Sequence, residues 1–230
     1  MPATFTTRCK SLLRRGKTLG MGRRGVDFVF STDFPLSILS RYGHPASQRL
    51  GKPVDSDGQP IPWFTYPAIQ FLDQLDLSRK AVFEWGSGNS SRYFAPRCAS
   101  ISSVESSPDW HAGLEKDLQP NQRLALKTGD DYVNHILETD THYDVVVIDG
   151  DLRVRCAEVA TQRLNPDGLV IVDNADWFAP ACEKLRNAGL IQVDFHGFGP
   201  VNEYTWCTSL FFTRGYSFSP LADRQPSASI

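Results

Sequence analysis

The side chains best equipped for chemistry stand in short clusters at the ends of apolar runs. The first cluster is V-F-E-W-G-S-G-N-S-S, residues 82–91. Gly86 and Gly88 let a chain turn tightly and bring its backbone close to a ligand. Ser90 or Ser91 can cap the helix expected next, whose N-terminus favours a polar or anionic group. A dinucleotide site would read G-x-G-x-x-G, with a small third residue for close helix packing. Ser91 stands at that third position, a departure. Glu84, two places before the first glycine, sharpens the choice. A buried carboxylate opposes a pyrophosphate but favours a cationic ammonium or sulfonium ligand. Glu105 ends the second apolar run, 21 residues beyond Glu84. A carboxylate there can accept both hydroxyls of a ribose. After the third run, T-G-D-D-Y offers Asp130 or Asp131, suited either to an adenine amino group or to capping the next helix.

The later strand ends carry a second set of polar groups. The fourth run closes on Asp149-Gly150-Asp151 and the fifth on Asp173-Asn174-Ala175-Asp176. Asp149, Asp173 and Asn174 are hard oxygen donors that would suit Mg²⁺. The favoured reading is that they line a polar cleft, touch substrate or cap helices. Arg153 can clamp an anionic substrate group or remain a solvated helix-face charge. His196, in D-F-H-G-F-G-P after the sixth run, is a candidate proton acceptor or a packing residue. Asp194 and Asn202 are lesser candidates. Trp63, Tyr66, Trp177 and Trp206 can wall a pocket for a sugar or aromatic ring, or pack in the core.

These clusters need a scaffold that brings strand ends together. Seven apolar runs supply it: 81–85, 100–105, 123–128, 143–149, 168–173, 190–195 and 205–213. A helical-period segment precedes the first, at 66–76, and others separate the first six, at 90–96, 108–118, 130–138, 153–163 and 177–188. Alternation of this kind argues for βαβ units and a parallel sheet. The β-branched runs V-V-V-I and L-V-I-V suit central strands buried on both faces. Only a loop separates the last two runs, which fits an antiparallel final strand. The expected architecture is α/β: a Rossmann-like doubly wound seven-stranded sheet, mostly parallel, with helices on both faces. The expected division is a basic arm and irregular lead-in over 1–62, a main domain over 63–215 and a loose tail over 216–230. A short helix is expected near 35–42.

Composition bounds the function class. The chain has 230 residues, 41% apolar and 22% charged, enough for one core and too ordered for wholesale disorder. Seven of its basic residues lie within the first 25 positions, which hold no acid; the remaining 205 residues balance to −9. A nucleic-acid-coating protein is not expected on that balance. Five scattered cysteines form no C-x-x-C pair, so neither a zinc site nor a disulfide framework is signalled, and a reducing compartment is expected. No run approaches the apolar length of a membrane span. The expected location is cytoplasmic, with residues 1–25 able to touch an anionic membrane surface.

E-W-G-S-G-N-S-S, then V-E, then G-D-D, then the acidic end of the fourth run together resemble the class I S-adenosylmethionine-dependent methyltransferases. The resemblance spans about 63–214. With P-W-F-T-Y-P-A-I-Q-F-L upstream and I-D-G-D-L-R-V-R-C downstream, it is similar to a little-characterised bacterial branch. It implies S-adenosylmethionine as cofactor. Members of that fold that methylate base amines carry N/D-P-P-Y/F/W at the end of the fourth run, where this chain reads I-D-G-D, so the resemblance implies oxygen over a nucleobase amine as the acceptor. The implied cofactor-binding set is Glu84, Gly86, Ser87, Gly88, Asn89, Ser90, Glu105, Asp130 and Asp149. The candidate catalytic groups are Asp149, Asp173 and His196; Arg153, Asn174 and Trp177 are candidates for binding a small-molecule or glycan acceptor. Asp149, Asp173 and Asn174 also match the metal positions of the catechol-type O-methyltransferases. Leu152 stands where that group has its lysine base, so a divalent metal is not favoured. The alternatives are a non-catalytic cofactor-binding member of the fold and a nicotinamide-dependent oxidoreductase.

Overall fold

The computed structural model describes residues 41–227. The basic arm and most of the expected 35–42 helix lie outside the described residues. Seven strands form one sheet: β1 (Ala81–Trp85), β2 (Ser100–Glu105), β3 (Gln122–Leu126), β4 (Tyr143–Ile148), β5 (Leu164–Val172), β6 (Ile191–Gly197) and β7 (Trp206–Phe212). Their order is β3-β2-β1-β4-β5-β7-β6. β1 pairs in parallel with β2 and β4, β2 with β3, and β4 with β5. β7 runs antiparallel to both β5 and β6. The antiparallel strand is therefore inserted between two others and does not form the sheet edge.

Strand alternation divides the core in two, because successive side chains point to opposite faces. On one face Phe83, Trp85, Val146, Ile148, Val170, Val172 and Phe211 pack on α5 (Gly129–Asn134), α6 (Arg153–Val159) and α7 (Ala179–Asn187). On the other, Val82, Val145, Val147, Leu169, Ile171 and Leu210 pack on α2 (Tyr66–Leu72) and α3 (Asn89–Phe94). Every residue of β4 is buried, as its V-V-V-I run requires of a strand covered on both sides. α4 (Pro108–Leu114) buries none of its side chains and rides on the sheet edge.

Several boundaries differ from those expected. The lead-in after residue 41 is folded onto the main domain. In α1 (His44–Leu50), Ser47 Oγ donates to Val54 O at 2.7 Å and accepts from Val54 N at 3.0 Å. His44 Nδ1 lies 3.2 Å from Tyr66 Oη, and Asn89 Nδ2 donates to Pro53 O. The tail is also docked: Phe218 is buried, Leu75 bridges Pro220, and Asp76 N donates to Ser219 O at 2.9 Å. These contacts cross long sequence separations and leave no periodic signal. Three of the expected helices end in a 3-10 turn, at Glu115–Asp117, His135–Leu137 and Ala160–Arg163, which shortens their α portions. The sheet order reverses between β1 and β4, so the crevice belongs at the carboxyl ends of those strands.

Candidate active site

A cleft of about 710 Å³ opens at that switch point. Its floor is set by two glycines. Gly86 turns the chain out of β1 with φ +86°, a left-handed conformation suited to glycine. A Cβ there would stand 2.9 Å from Gly150 Cα, and one on Gly150 would stand 2.1 Å from Tyr132 Oη. Gly88 is under no such constraint: a Cβ would meet only the Trp110 indole, at 3.6 Å.

The turn is held from below and from one side. Glu84 is wholly buried and does not line the cleft. Its Oε2 accepts from Ser91 Oγ at 2.5 Å and Ser103 Oγ at 2.9 Å, while Ser91 Oγ accepts from Gly88 N at 3.1 Å. Glu84 therefore shapes the loop from underneath instead of facing a ligand. Burial pushes its carboxyl up to about 7; the serines oppose that rise and Asp149 adds to it. Glu105 does line the cleft. Ser87 N and Ser87 Oγ donate to its Oε2, each at 3.1 Å, and Ser106 N and Ser107 N donate to Oε1 at 2.8 and 2.9 Å. Ser87, Asn89 and Ser90 complete this wall.

Trp110, lining the same wall, was not singled out from the sequence. Its indole N–H donates to Ser87 O, and its ring lies over Gly88. The available signal was S-S-P-D-W just after Glu105, a helix start capped by Ser107 Oγ. That start returns the first turn of α4 to the cleft. Lys52 and Pro53, from the lead-in, were also missed.

The opposite wall is built from the ends of β4 and β5. Asp149, Asp151, Arg153, Asp173 and Asn174 line it, with Trp63, Trp177 and Tyr204 at the mouth. Trp177 and Tyr204 stack loosely, centroids 6.2 Å apart. Arg153 is fully engaged. Its Nε donates to Gly150 O at 3.0 Å, Nη2 to Asp149 O at 3.2 Å, and Nη1 to Asp173 O at 2.5 Å and Asn174 Oδ1 at 3.0 Å; Nη2 also forms an ion pair with Asp149 Oδ1 at 3.1 Å. Four hydrogen bonds and an ion pair thus tie the guanidinium within the protein. The expected bidentate clamp on a substrate anion would have to break them.

The two aspartates differ. Asp149 keeps about a fifth of its side chain exposed. Burial raises its carboxyl to about 6 and Arg153 restrains the rise. Asp173 is buried and accepts from Trp206 Nε1 at 3.0 Å and Thr208 Oγ1 at 2.5 Å. Burial, and then the neighbouring Asp149, push it well above the ordinary carboxylate range. Asp173 is thus favoured as the neutral acid of the pair and Asp149 as the ionised base.

Two expected site residues stand elsewhere. His196 is not in a loop: it belongs to β6, opposite Cys207, and lines a separate 140 Å³ cleft with Asp176, Cys182 and Asp194. Strand alternation turned it away from the main cleft. Asp130 opens α5 with its side chain 78% exposed and pairs with Arg155 at 2.8 Å, outside the cleft. Tyr66 and Trp206 are core residues. Among the described residues no three His, Cys, Asp or Glu side chains converge as a metal site. No helix among them is long and apolar enough to cross a membrane.

With Asp173 neutral, the main cleft carries four acidic charges (Glu105, Asp109, Asp149, Asp151) against three basic ones (Lys52, Arg92, Arg153). That balance favours a cationic over an anionic ligand.

No protein-family model matches the chain, and no curated protein matches it. Precorrin-6y C5,15-methyltransferase from Geobacter metallireducens GS-15 matches in structure with a TM-score of 0.51 at 14% identity, covering 64% of this chain and 87% of that one. Spermidine synthase from Thermotoga maritima gives a TM-score of 0.48 at 14% identity, with 61% and 55% covered. The N-methyltransferase NodS from Bradyrhizobium japonicum WM9 gives 0.47 at 14% identity, with 63% and 92% covered. The chain has the fold of the class I S-adenosylmethionine-dependent methyltransferases.

Proposed function

We propose that this protein binds S-adenosylmethionine and transfers its methyl group to a hydroxyl oxygen of a small-molecule or glycan acceptor. One observation carries the reading: the Gly86–Gly88 turn and the Glu105 carboxylate share one wall of a single acidic cleft, and Asp149 faces them from the other. Gly86, Ser87, Gly88, Asn89, Ser90 and Glu105 would hold the cofactor, with Trp110 offering an aromatic face to the base. Four donors already fill the lone-pair sites of Glu105. Ribose hydroxyls must therefore displace Ser87, whose Oγ is the most easily rotated of the four.

The bound cofactor supplies an electrophilic methyl on a sulfonium. The chain's own work is alignment, exclusion of water and proton removal. Asp149 would take the acceptor's proton on a carboxylate oxygen as the new C–O bond forms and the C–S bond breaks. Asp173, neutral and held by Trp206 and Thr208, buttresses it without acting as base. Trp63, Trp177 and Tyr204 offer ring faces to an acceptor containing a sugar or an aromatic ring. I-D-G-D at the end of β4 supports oxygen as the acceptor atom. Residues 1–25, outside the described residues, are proposed to touch an anionic membrane surface or lipid-linked acceptor from the cytoplasmic side. Nucleic acid is not proposed as a partner.

Calorimetric titration with S-adenosylhomocysteine tests the cofactor. Binding in the micromolar range is expected, and silence at millimolar ligand would sink the reading. Release of S-adenosylhomocysteine across a panel of glycans and phenols then identifies the acceptor class. Cofactor binding without turnover on any of them favours the non-catalytic alternative.

A further inference from the structure

We infer that the Arg153 guanidinium is the resident cation of the acceptor wall, occupying the oxygen set that a divalent metal would need and positioning Asp149 in its place. The inference rests on the reading of that wall as the acceptor subsite. Asp149, Asp173 and Asn174 would form a hard-oxygen triad suited to Mg²⁺. The structure commits one side-chain oxygen of each residue elsewhere. Asp149 Oδ1 is ion-paired with Arg153 at 3.1 Å, and Asn174 Oδ1 accepts from it at 3.0 Å. Asp173 Oδ1 is taken by Trp206 and Thr208, and the main-chain oxygen of Asp173 meets the guanidinium. A metal ion entering here would have to displace a cation held by four hydrogen bonds and an ion pair, or stand beside it. Both are unfavourable.

The backbone is bent to the same end. Leu152, immediately before Arg153, and Asn174, one of its acceptors, are both left-handed, at φ 52° and 51°. The conformation strains Leu152, whereas asparagine adopts it readily. One brings the arginine across the mouth of β4, and the other presents the Asn174 amide oxygen to it. The Phe178 ring, 4.8 Å from the guanidinium carbon, adds a cation–π contact. Arg153 is thus a positioning residue: it joins the ends of β4 and β5 and holds Asp149 at the cleft surface.

The test uses the full wild-type chain, free of added metal, titrated with Mn²⁺ and followed by electron paramagnetic resonance. No Asp149-dependent site is expected up to about 1 mM Mn²⁺, and EDTA should leave the binding heat of S-adenosylhomocysteine unchanged. One bound Mn²⁺ per chain, lost in Asp149→Asn, overturns the inference. Arg153→Met should free the oxygens, bind Mn²⁺ at least roughly tenfold more tightly than wild type, and move the ¹³C carboxyl titration of Asp149 upward; Arg153→Lys should restore the wild-type titration. A folded Arg153→Met protein that ignores Mn²⁺ and titrates as wild type also overturns it. Should Arg153→Met fail to fold, the wild-type Mn²⁺ titration and the Arg153→Lys carboxyl titration still decide. Failure of wild-type S-adenosylhomocysteine binding speaks against the methyltransferase reading instead, and leaves the Mn²⁺ result standing.

Discussion

Gly86 and Gly150 meet backbone to backbone: a Cβ on Gly86 would lie 2.9 Å from Gly150 Cα, and one on Gly150 would lie 2.7 Å from Gly86 N. The turns after β1 and β4 touch at the switch point of the sheet, and the cleft floor exists because neither residue has a side chain. Gly86→Ala adds a strained φ, worth about 1–3 kcal/mol, to this clash. It should lower the melting temperature by several degrees and weaken S-adenosylhomocysteine binding more than tenfold. Gly88→Ala, with an extended backbone and an open neighbour, should change stability by less than about 1 kcal/mol. Equal damage from the two substitutions would contradict this account.

Glu84 should make stability depend on pH. Its carboxyl is raised from 4.5 to about 7 by burial, so the folded state prefers the neutral acid. The stability this confers is complete below the unfolded value and is lost as pH rises through the folded one. The loss is on the order of 3 kcal/mol. Glu84→Gln cannot ionise and should flatten the decline. Thermal melts at about pH 5 and about pH 8 measure it, and parallel slopes in the two proteins would count against the assignment.

Glu105 anchors the Ser87 turn through four hydrogen bonds. Glu105→Ala should reduce S-adenosylhomocysteine affinity by roughly 10–100-fold in calorimetry, since several charge-assisted bonds are lost together. An unchanged dissociation constant would place the nucleoside elsewhere.

Asp149 is the proposed base on the acceptor side. With its carboxyl near 6, the rate should fall as pH drops below that value. Asp149→Asn should abolish this acid limb and lower turnover by roughly 10²–10⁴-fold. His196→Ala, in the separate cleft beside Asp176 and Cys182, should leave both the profile and the rate within about twofold. A collapse of activity on losing His196 would reverse the two roles.

Trp177, 58% exposed at the cleft mouth, should act on the acceptor alone. Trp177→Ala is expected to raise the acceptor KM about tenfold without changing S-adenosylhomocysteine affinity. A loss confined to cofactor binding would move the cofactor to the aromatic side.

All seven strands were legible because apolar runs, β-branched residues and turn formers act over a few neighbours. The antiparallel β7 followed from the short loop before it, and Glu105 at the end of β2 follows from the length of the intervening α3 unit. Gly86, Asp149, Asp173 and Asn174 were placed near one crevice because a doubly wound sheet gathers its strand ends. The faces of individual side chains were less accessible. One residue of register turns a side chain through the sheet, and His196 and Glu84 both point away from where their neighbours suggested. The lead-in looked irregular and the tail loose because their partners, such as Asn89 for Pro53 and Asp76 for Ser219, lie far apart in the chain.

The sequence by itself determined the strand order's raw material, the glycine turn and the chemical types available at each strand end, all of which depend on local spacing. Tertiary structure alone decided which of those groups remain free to act. Arg153 reads as a substrate clamp until its hydrogen bonds and ion pair are traced to Gly150, Asp149, Asp173 and Asn174. Two similar aspartates become an acid and a base only because Asp173 is buried against Trp206 and Thr208 while Asp149 still reaches the cleft. Hydrogen-bond saturation and burial belong to the assembled neighbourhood, and neither is a property of a residue or its spacing.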